Sequence, residues 1–154
     1  MDVVRFKRKD KAPFLALCRD FYNAGATLRP YNEKNALATF RRVIERHENL
    51  QGYMLIDKTT RKNIGYALVS SYWCNEEGGN VIVLDELYIS PDSRHNGYGS
   101  LFLKWLEKHC GNYARAITLE VLTTNQTAQS IYRKDGMEPD GFVTYTKNIC
   151  GSPE

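Results

Sequence analysis

The feature that most constrains this chain is a strand-forming run that leads into a helix opening at two glycines. Residues 81–89 are rich in β-branched and apolar side chains, which favour a strand. A loop follows and ends in Gly97-Tyr98-Gly99, after which apolar residues recur at helical spacing up to Cys110. The pattern predicts a strand, a loop and a helix in that order.

The remaining sequence predicts further strands and helices on both sides of this unit. Short apolar runs bounded by turn residues indicate strands, and longer runs of 3.6-residue periodicity indicate helices. We therefore predict the order β-α-α-β-β-β-α-β-α-β. The predicted strands are 3–6, 53–56, 64–72, 81–89, 117–122 and 142–149, and the predicted helices are 12–23, 33–44, 99–110 and 125–135.

The glycine loop has the composition of an anion site. Free N–H groups at a helix start point outward, and the helix dipole favours negative charge there. Gly97 and Gly99 remove the side chains that would keep a phosphate from the backbone. A phosphate loop ending in Gly-Lys-Ser/Thr is excluded because Gly99 is followed by Ser100. A dinucleotide-binding loop is excluded because position 102 is Phe.

The loop resembles the Arg/Gln-x-x-Gly-x-Gly/Ala signature of the GNAT N-acetyltransferases. Many members of that family carry Gly where this chain has His95. In the family the loop binds the pyrophosphate of coenzyme A, so the resemblance implies acetyl-CoA as the cofactor. The implied binding residues are Arg94, His95, Asn96, Gly97, Tyr98, Gly99 and Ser100.

A second segment matches the same family. Asn125, Ala128 and Tyr132 are three and four residues apart, so they share one face of the predicted helix and can line a cleft. Tyr132 on such a face can equally be a core residue with its hydroxyl at solvent. Because the glycine loop precedes it in the family's order, we expect all three to contact the cofactor. The resemblance covers about residues 64–142.

The resemblance also implies a fold. It predicts an α/β (α+β) domain with a mixed, mostly antiparallel sheet of six to seven strands, flanked by about four helices. The sheet would splay between the fourth and fifth strands, and the pantetheine arm would pair there with Leu87, Tyr88 and Ile89. We expect residues 1–154 to be a single N-acetyltransferase domain.

Acetyl transfer to an amine needs a base for the amine and an acid for the departing thiolate. Tyr132 resembles the family's general acid. Glu86 and Asp85 are the candidate bases, and in a regular strand only one of them faces the cleft. We predict Glu86, because the family often has an acidic residue at that position. Asp85 remains the alternative, because a bulge in this strand would change the facing.

The acceptor is predicted only as a class, a primary amine of a small molecule or peptide. The first two helices, their loop and the turn at 72–80 would form its wall, and aromatic and acidic side chains there would suit a cationic amine. The aromatic candidates are Tyr22, Tyr31, Tyr72 and Trp73, which could equally be packing residues. Many family members are homodimers, so the resemblance allows a homodimer and leaves the oligomeric state open.

Composition argues against several other partners. The net charge of +3 comes without a dense basic stripe, which argues against nucleic acid. The four cysteines and three histidines lack zinc-ligand spacing, so no metal is expected. No apolar run approaches the roughly 18 residues that span a bilayer, and the charged N-terminus has no signal-peptide pattern. We therefore expect a cytoplasmic protein with reduced thiols and no membrane segment.

Three rival functions use the same features. A regulatory module could hold acyl-CoA without turnover, but it would not need the acid and base. A toxin that acetylates aminoacyl-tRNA would need a basic face beside the cleft. An interaction protein with a fortuitous glycine turn would not carry both motifs in order.

Overall fold

A five-stranded sheet with helices on both faces organises residues 1–46 and 49–149, the part of the chain that the computed structural model describes. The strands lie in the order β1 to β5, and all neighbours are antiparallel except the parallel pair β4 and β5. The strands are β1 (Asp2–Arg5), β2 (Leu50–Ile56), β3 (Asn63–Cys74), β4 (Gly79–Ile89) and β5 (Ala114–Leu119). The helices are α1 (Lys11–Asn23), α2 (Glu33–Ile44), α3 (Tyr98–Cys110) and α4 (Gln126–Lys134).

Alternating side chains divide the core into two halves, one on each face of the sheet. On β2, Tyr53 and Leu55 are buried with Phe102 of α3, whereas Met54 between them is buried with Phe14 of α1. This alternation follows from the two-residue period of a strand. We call these halves the α3-side core and the α1-side core.

The predicted α/β architecture is confirmed, but the expected number of strands is wrong. The sheet has five strands rather than six to seven, because residues 142–149 do not form the predicted final strand. Phe142, Val143 and Tyr145 are all more than 70% exposed, so no core face packs against them. Strand-forming side chains make a strand only where a neighbouring strand and a buried face are available.

The sheet splays between β4 and β5, as predicted. The two strands are paired only between Asn80–Leu84 and Ala114–Leu119. Beyond this stretch β4 continues to Ile89 while paired only with β3. Half of the backbone polar groups of this part of β4 therefore point toward the gap rather than toward β3.

The close approach of β3 and β4 beside this gap depends on Gly65. A Cβ at position 65 would lie 2.1 Å from the carbonyl oxygen of Tyr88. We expect Gly65→Ala to lower the free energy of unfolding by about 1–3 kcal/mol, because the strands must move apart. Denaturant unfolding of the two proteins measures this difference.

Gly99→Ala is the matched control for Gly65→Ala. A Cβ at position 99 meets nothing within 4 Å, and the residue lies in the first turn of α3. Because alanine is a better helix former than glycine, its stability should be unchanged or higher. Equal stability of Gly65→Ala and the parent protein would contradict the steric explanation.

Within the described residues, no helix has the length and apolar character needed to cross a bilayer. The same residues contain no group of three or more His, Cys, Asp or Glu side chains arranged to hold a metal ion. Cys18, Cys74 and Cys110 are free thiols. Cys150 and His47 lie outside the described residues.

Candidate active site

The start of α3 is accessible to an anion. Gly97 caps the helix in the left-handed conformation, with φ of 72°, and supplies no side-chain cap. The N–H groups of residues 98–100 consequently have no hydrogen-bond partner in the described part of the chain. Apart from neighbouring residues of the loop and helix, a Cβ on Gly97 or Gly99 would meet no atom within 4 Å, so the space beside the two glycines is open.

The loop before α3 is braced by its own polar side chains. Arg94 donates from Nε to the carbonyl of Ile89 at 3.0 Å, and its guanidinium carbon lies 5.6 Å from the centre of the Tyr88 ring. Asn96 donates from Nδ2 to the carbonyls of Ser93 and Arg94, both at 3.1 Å. Arg94 and Asn96 therefore shape the loop, and their contacts with coenzyme A stay predictions.

His95 occupies a backbone conformation that favours glycine. Its φ is 63°, in the left-handed region. This conformation gives a physical reason for the glycine that many GNAT members carry at the corresponding position. The His95 side chain is exposed, so it packs against no core.

Tyr98 ties the start of α3 to the turn between β2 and β3. Its hydroxyl donates a hydrogen bond to Oδ2 of Asp57. The N–H groups of Thr59 and Thr60 also donate to Asp57, and these bonds, with Thr60 the largest contributor, hold the pKa of that carboxyl well below its usual range. Tyr98 therefore anchors the helix start, and half-buried Ser100 lies two residues further on.

A β-bulge in β4 decides which carboxylate faces α1. Leu84 and Glu86 pair with residues 69 and 68 of β3, so Asp85 between them is an extra residue. In a regular strand Leu84 and Glu86 would share a face. With the bulge, Leu84 stays in the α3-side core while Glu86 bonds a side chain of α1.

The bulge also sets the facing of the last residues of β4. Leu87 and Ile89 pack against the α3-side core, whereas Tyr88 is buried in the α1-side core. All three residues lie beside the gap between β4 and β5. Their backbone is therefore placed where a ligand can add to the edge of β4.

Glu86 is held by two phenols. Tyr22 of α1 donates to Oε1 at 2.8 Å, and Tyr66 of β3 donates to Oε2 at 2.7 Å. Burial raises the pKa of Glu86, and the two phenol hydrogen bonds lower it. The charge of Asp85 raises it again, and the net effect is a raised pKa. The carboxylate is thus fixed in position and a better proton acceptor than an ordinary exposed glutamate.

Asp85 occupies a different environment. Its side chain is exposed, and partial desolvation followed by the charge of Glu120 raises its pKa. No hydrogen bond orients Asp85 within the described part of the chain. It lies beside Glu86 without sharing the two phenols.

Tyr132 lies on the other side of the sheet from Glu86. It is half-buried on α4 and packs against the α3-side core, which also contacts Leu87 and Ile89. Burial raises its pKa, so the phenol keeps its proton at neutral pH. Asn125 caps α4 by accepting from the N–H of Ala128 at 3.1 Å, so its side-chain oxygen serves the local backbone.

The predicted acceptor residues divide into two groups. Tyr22 and Tyr31 lie together, with ring centres 6.1 Å apart, and Tyr22 reaches Glu86. The Tyr31 hydroxyl is buried without a hydrogen-bond partner among the described residues. Tyr72 and Trp73 are 51% and 68% exposed at the far end of β3, opposite residues 81 and 80, and do not join the Glu86 group.

Three participants were not predicted from the sequence: Tyr66, Cys18 and Asp57. Tyr66 is fully buried. The pKa of the Cys18 thiol is raised to about 12, first because Cys18 itself is buried and second because of the charge of Glu86. Cys18 is therefore a neutral thiol. Their sequence signals are those of ordinary core and turn residues, because Tyr66 sits in an apolar strand and Cys18 on an apolar helix face.

A surface groove of about 370 Å³ lies elsewhere, between the end of α3, β5 and the end of α4. It is lined by residues such as Cys110, Ala116 and Asp135, and includes none of the predicted site residues. The chemistry described above therefore does not involve this groove.

Comparison with known proteins identifies the class. Residues 16–137 match the acetyltransferase (GNAT) family. The chain is 27% identical over 154 residues to an uncharacterized N-acetyltransferase, YhfO, of Bacillus subtilis (strain 168), covering 97% of this chain and 98% of the relative. The chain therefore belongs to the GNAT family of acetyltransferases.

Solved structures show the same fold. One described as a probable acetyltransferase superposes with a TM-score of 0.81 at 17% identity, covering 99% of this chain and all of the other. The aminoglycoside acetyltransferase AAC(6')-Iy, in complex with a bisubstrate analogue of coenzyme A and acetylneamine, superposes with a TM-score of 0.78 at 14% identity, covering 97% and 98%. The protein is an N-acetyltransferase, and its cofactor is acetyl-CoA.

Proposed function

We propose that this enzyme transfers the acetyl group of acetyl-CoA to a primary amine of a small molecule or peptide, by direct attack in a ternary complex. One observation carries the proposal: Glu86, in the part of β4 beside the gap, bonds α1 on one face of the sheet, whereas Tyr132 packs against the core on the other face. A base on one face and an acid on the other suit transfer across the gap. No covalent enzyme intermediate is needed, which agrees with the neutral thiol of Cys18.

The residues beside the gap fit coenzyme A. The unpaired N–H groups at the start of α3 would hold the pyrophosphate, with Gly97 and Gly99 allowing close approach. The open backbone of residues 87–89 would pair with the pantetheine arm. When bound, acetyl-CoA supplies the acetyl group as an activated thioester. The other predicted cofactor contacts are Arg94, His95, Asn96, Tyr98, Ser100, Asn125 and Ala128.

Glu86 is proposed as the general base. A cationic amine must lose a proton before it can attack, and the carboxylate can take that proton directly or through a water molecule. The two phenols occupy one acceptor position on each oxygen of Glu86, which leaves further lone pairs for the amine. Asp85 remains the alternative base, although no side chain orients it.

Tyr132 is proposed as the general acid for the departing thiolate. Its phenol is protonated at neutral pH and half-buried against the α3-side core. An N–H of β4 near Tyr88 or Ile89 would stabilise the developing oxyanion. Asn125, by capping α4, fixes the helix that carries Tyr132.

The acceptor is proposed to bind against α1 and the loop after it. Tyr22 and Tyr31 offer an aromatic surface next to the Glu86 carboxylate, which suits a cationic amine. Tyr72 and Trp73 would contact only an acceptor that extends along β3.

We also propose that residues 1–154 act as one domain, and a homodimer remains a prediction.

The test combines calorimetric titration with acetyl-CoA and a thiol-release assay over polyamines, aminoglycosides and lysine-containing peptides. Binding with amine-dependent thiol release is expected. Binding without release on any amine would favour the regulatory module. Acetylation of aminoacyl-tRNA instead of free amines would favour the toxin.

Gly97→Ala is expected to weaken acetyl-CoA binding about tenfold or more, because a methyl group would occupy part of the open space through which a phosphate approaches the start of α3. Calorimetric titration measures the dissociation constant. The matched control is Gly78→Ala in the turn between β3 and β4. Gly78 has φ of 62° and nothing within 4 Å, so it carries the same backbone cost as Gly97 at φ of 72°. Equal affinities of the two variants would contradict the phosphate site.

A further inference from the structure

The Glu86 carboxylate is bound at both oxygens by phenols from two separate elements. Tyr66 on β3 donates to Oε2 at 2.7 Å, and Tyr22 on the last turn of α1 donates to Oε1 at 2.8 Å. No basic side chain pairs with Glu86 within the described part of the chain. The buried charge is therefore stabilised by neutral donors rather than by a cation.

The groups that face Glu86 come from three elements. Tyr22 and Cys18 face it from α1, Tyr66 from β3, and Asp85 from its own strand. Burial of Tyr22 and Tyr66 and the charge of Glu86 raise the pKa of both phenols above the ordinary range, so both remain protonated donors. Asp85 alone can add a charge, and that charge is repulsive. Only the phenols stabilise the ionised form of Glu86.

We propose that Tyr66 and Tyr22 are positioning residues of the transferase site, which hold Glu86 by its two oxygens in one orientation toward the acceptor amine. The inference rests on the proposed function of Glu86 as the base. A half-buried carboxylate without such contacts can rotate or take up a proton, and in either state it is a poor acceptor.

The two phenols differ in burial, and this difference sets their roles. Tyr66 has 0% exposure and is packed edge-on by Phe14, with ring centres 5.2 Å apart. Tyr22 is half-buried, contacts Tyr31, and belongs to the surface proposed for the acceptor. Tyr66 is the permanent anchor of Glu86, whereas Tyr22 links the carboxylate to the acceptor side.

The direct test is a titration of Glu86 without substrate. The side-chain carboxyl carbon of Glu86, labelled with ¹³C and assigned by its loss in Glu86→Gln, reports its protonation by NMR. Tyr66→Phe should raise the pKa of Glu86 above that of the parent protein, because one donor to the ionised form is removed. Tyr22→Phe should act in the same direction and provides a second measurement if Tyr66→Phe does not fold.

Tyr53→Phe is the matched control. Tyr53 is 2% exposed in the α3-side core, and its hydroxyl bonds Gln51 on its own strand. This variant loses the same atom from an equally buried tyrosine away from Glu86, so it should leave the titration of Glu86 unchanged. An unchanged titration in both Tyr66→Phe and Tyr22→Phe would overturn the inference.

Turnover provides a second readout. Tyr66→Phe should lower kcat/KM about tenfold at neutral pH and move the acid limb of the pH profile upward. In a Glu86→Gln background the same change should have no further effect, because the group it positions is absent. A tenfold loss in that background as well would overturn the inference.

The titration also separates failure of the inference from failure of the proposed function. If Glu86→Gln turns over like the parent protein, Glu86 is not the base, while the NMR titration still reports whether the phenols hold it. If Glu86→Gln is impaired and the titration is unaffected by the phenols, the base stands and the positioning role fails.

Discussion

Glu86→Gln is expected to lower kcat/KM by about 10²- to 10⁴-fold near neutral pH, the usual contribution of a general base. The amide has the shape of the carboxylate but cannot take a proton from the amine. The two phenols can still bond it, because Tyr22 and Tyr66 can each donate or accept. The loss would therefore reflect chemistry rather than disruption of the α1-side core.

The pH dependence of kcat/KM should change in a defined direction. If Glu86 is the base, the rate of the parent protein should fall as Glu86 becomes protonated, and the raised pKa of Glu86 moves this acid limb to higher pH than for an exposed glutamate. Without the carboxylate that limb disappears. The residual rate should then rise toward alkaline pH as the amine itself becomes neutral, up to about 10 for a lysine-like acceptor.

Asp85→Asn is the control on the neighbouring residue. It removes one charge from β4 but leaves both phenols and Glu86 in place, so its rate should stay within about tenfold of the parent protein. If Asp85→Asn loses the acid limb and Glu86→Gln retains it, Asp85 is the base. That outcome would contradict the view that the bulge turns the catalytic carboxylate, Glu86, toward α1.

Stability should not fall in Glu86→Gln at pH 7. Because the folded state raises the pKa of Glu86, it binds the proton more tightly than the unfolded chain does. The contribution of Glu86 to stability is therefore greatest at low pH and decreases as pH rises through the raised pKa. Glutamine has no charge to bury, so denaturant unfolding should show equal or greater stability than the parent protein.

Tyr132→Phe is expected to lower kcat about 10²-fold or more while leaving acetyl-CoA affinity nearly unchanged. The change removes the phenol hydroxyl and keeps the ring that packs against the α3-side core. Single-turnover kinetics and calorimetric titration with acetyl-CoA measure the two effects separately. Rates that match the parent protein would remove the general-acid role.

Tyr113→Phe is the matched control for Tyr132→Phe. Tyr113 follows α3 at the end away from the glycine loop, and its hydroxyl donates to Sγ of Cys110 at 3.2 Å. The same atom is removed outside the predicted site, so turnover should not change. Comparable losses in both variants would point to a general effect on the α3 side of the sheet.

The glycine loop could be predicted because its structure is local. A helix that starts at Gly97 without a side-chain cap leaves its N–H groups unpaired whatever the rest of the chain does. The cap of α2 is local for the same reason, since Asn32 accepts from the N–H of Asn35 at 3.2 Å. The roles given to these residues in binding coenzyme A stay predictions.

The final strand, at residues 142–149, was mispredicted because local sequence composition carries no information about a partner strand. Residues 142–149 include strand-favouring side chains such as Phe142, Val143 and Tyr145, but this composition does not say whether a partner strand is present. In the structure this segment has no regular secondary structure and is exposed, and Arg29 in the loop after α1 donates a hydrogen bond to Asn148. Propensity alone could not distinguish this arrangement from a sixth strand.

The sequence by itself determined the order of strands and helices through α4, the resemblance to the family, and the two glycines that open the start of α3, whereas the strand predicted at 117–122 lies at Ala114–Leu119. These features follow from local periodicity, capping and backbone freedom. The tertiary structure decided that Glu86 rather than Asp85 turns toward α1, because the bulge appears only in the pairing of β4 with β3. It also decided that Tyr22 and Tyr66, 64 and 20 residues away, meet at one carboxylate. Such long-range contacts depend on how strands and helices pack, which no local pattern encodes.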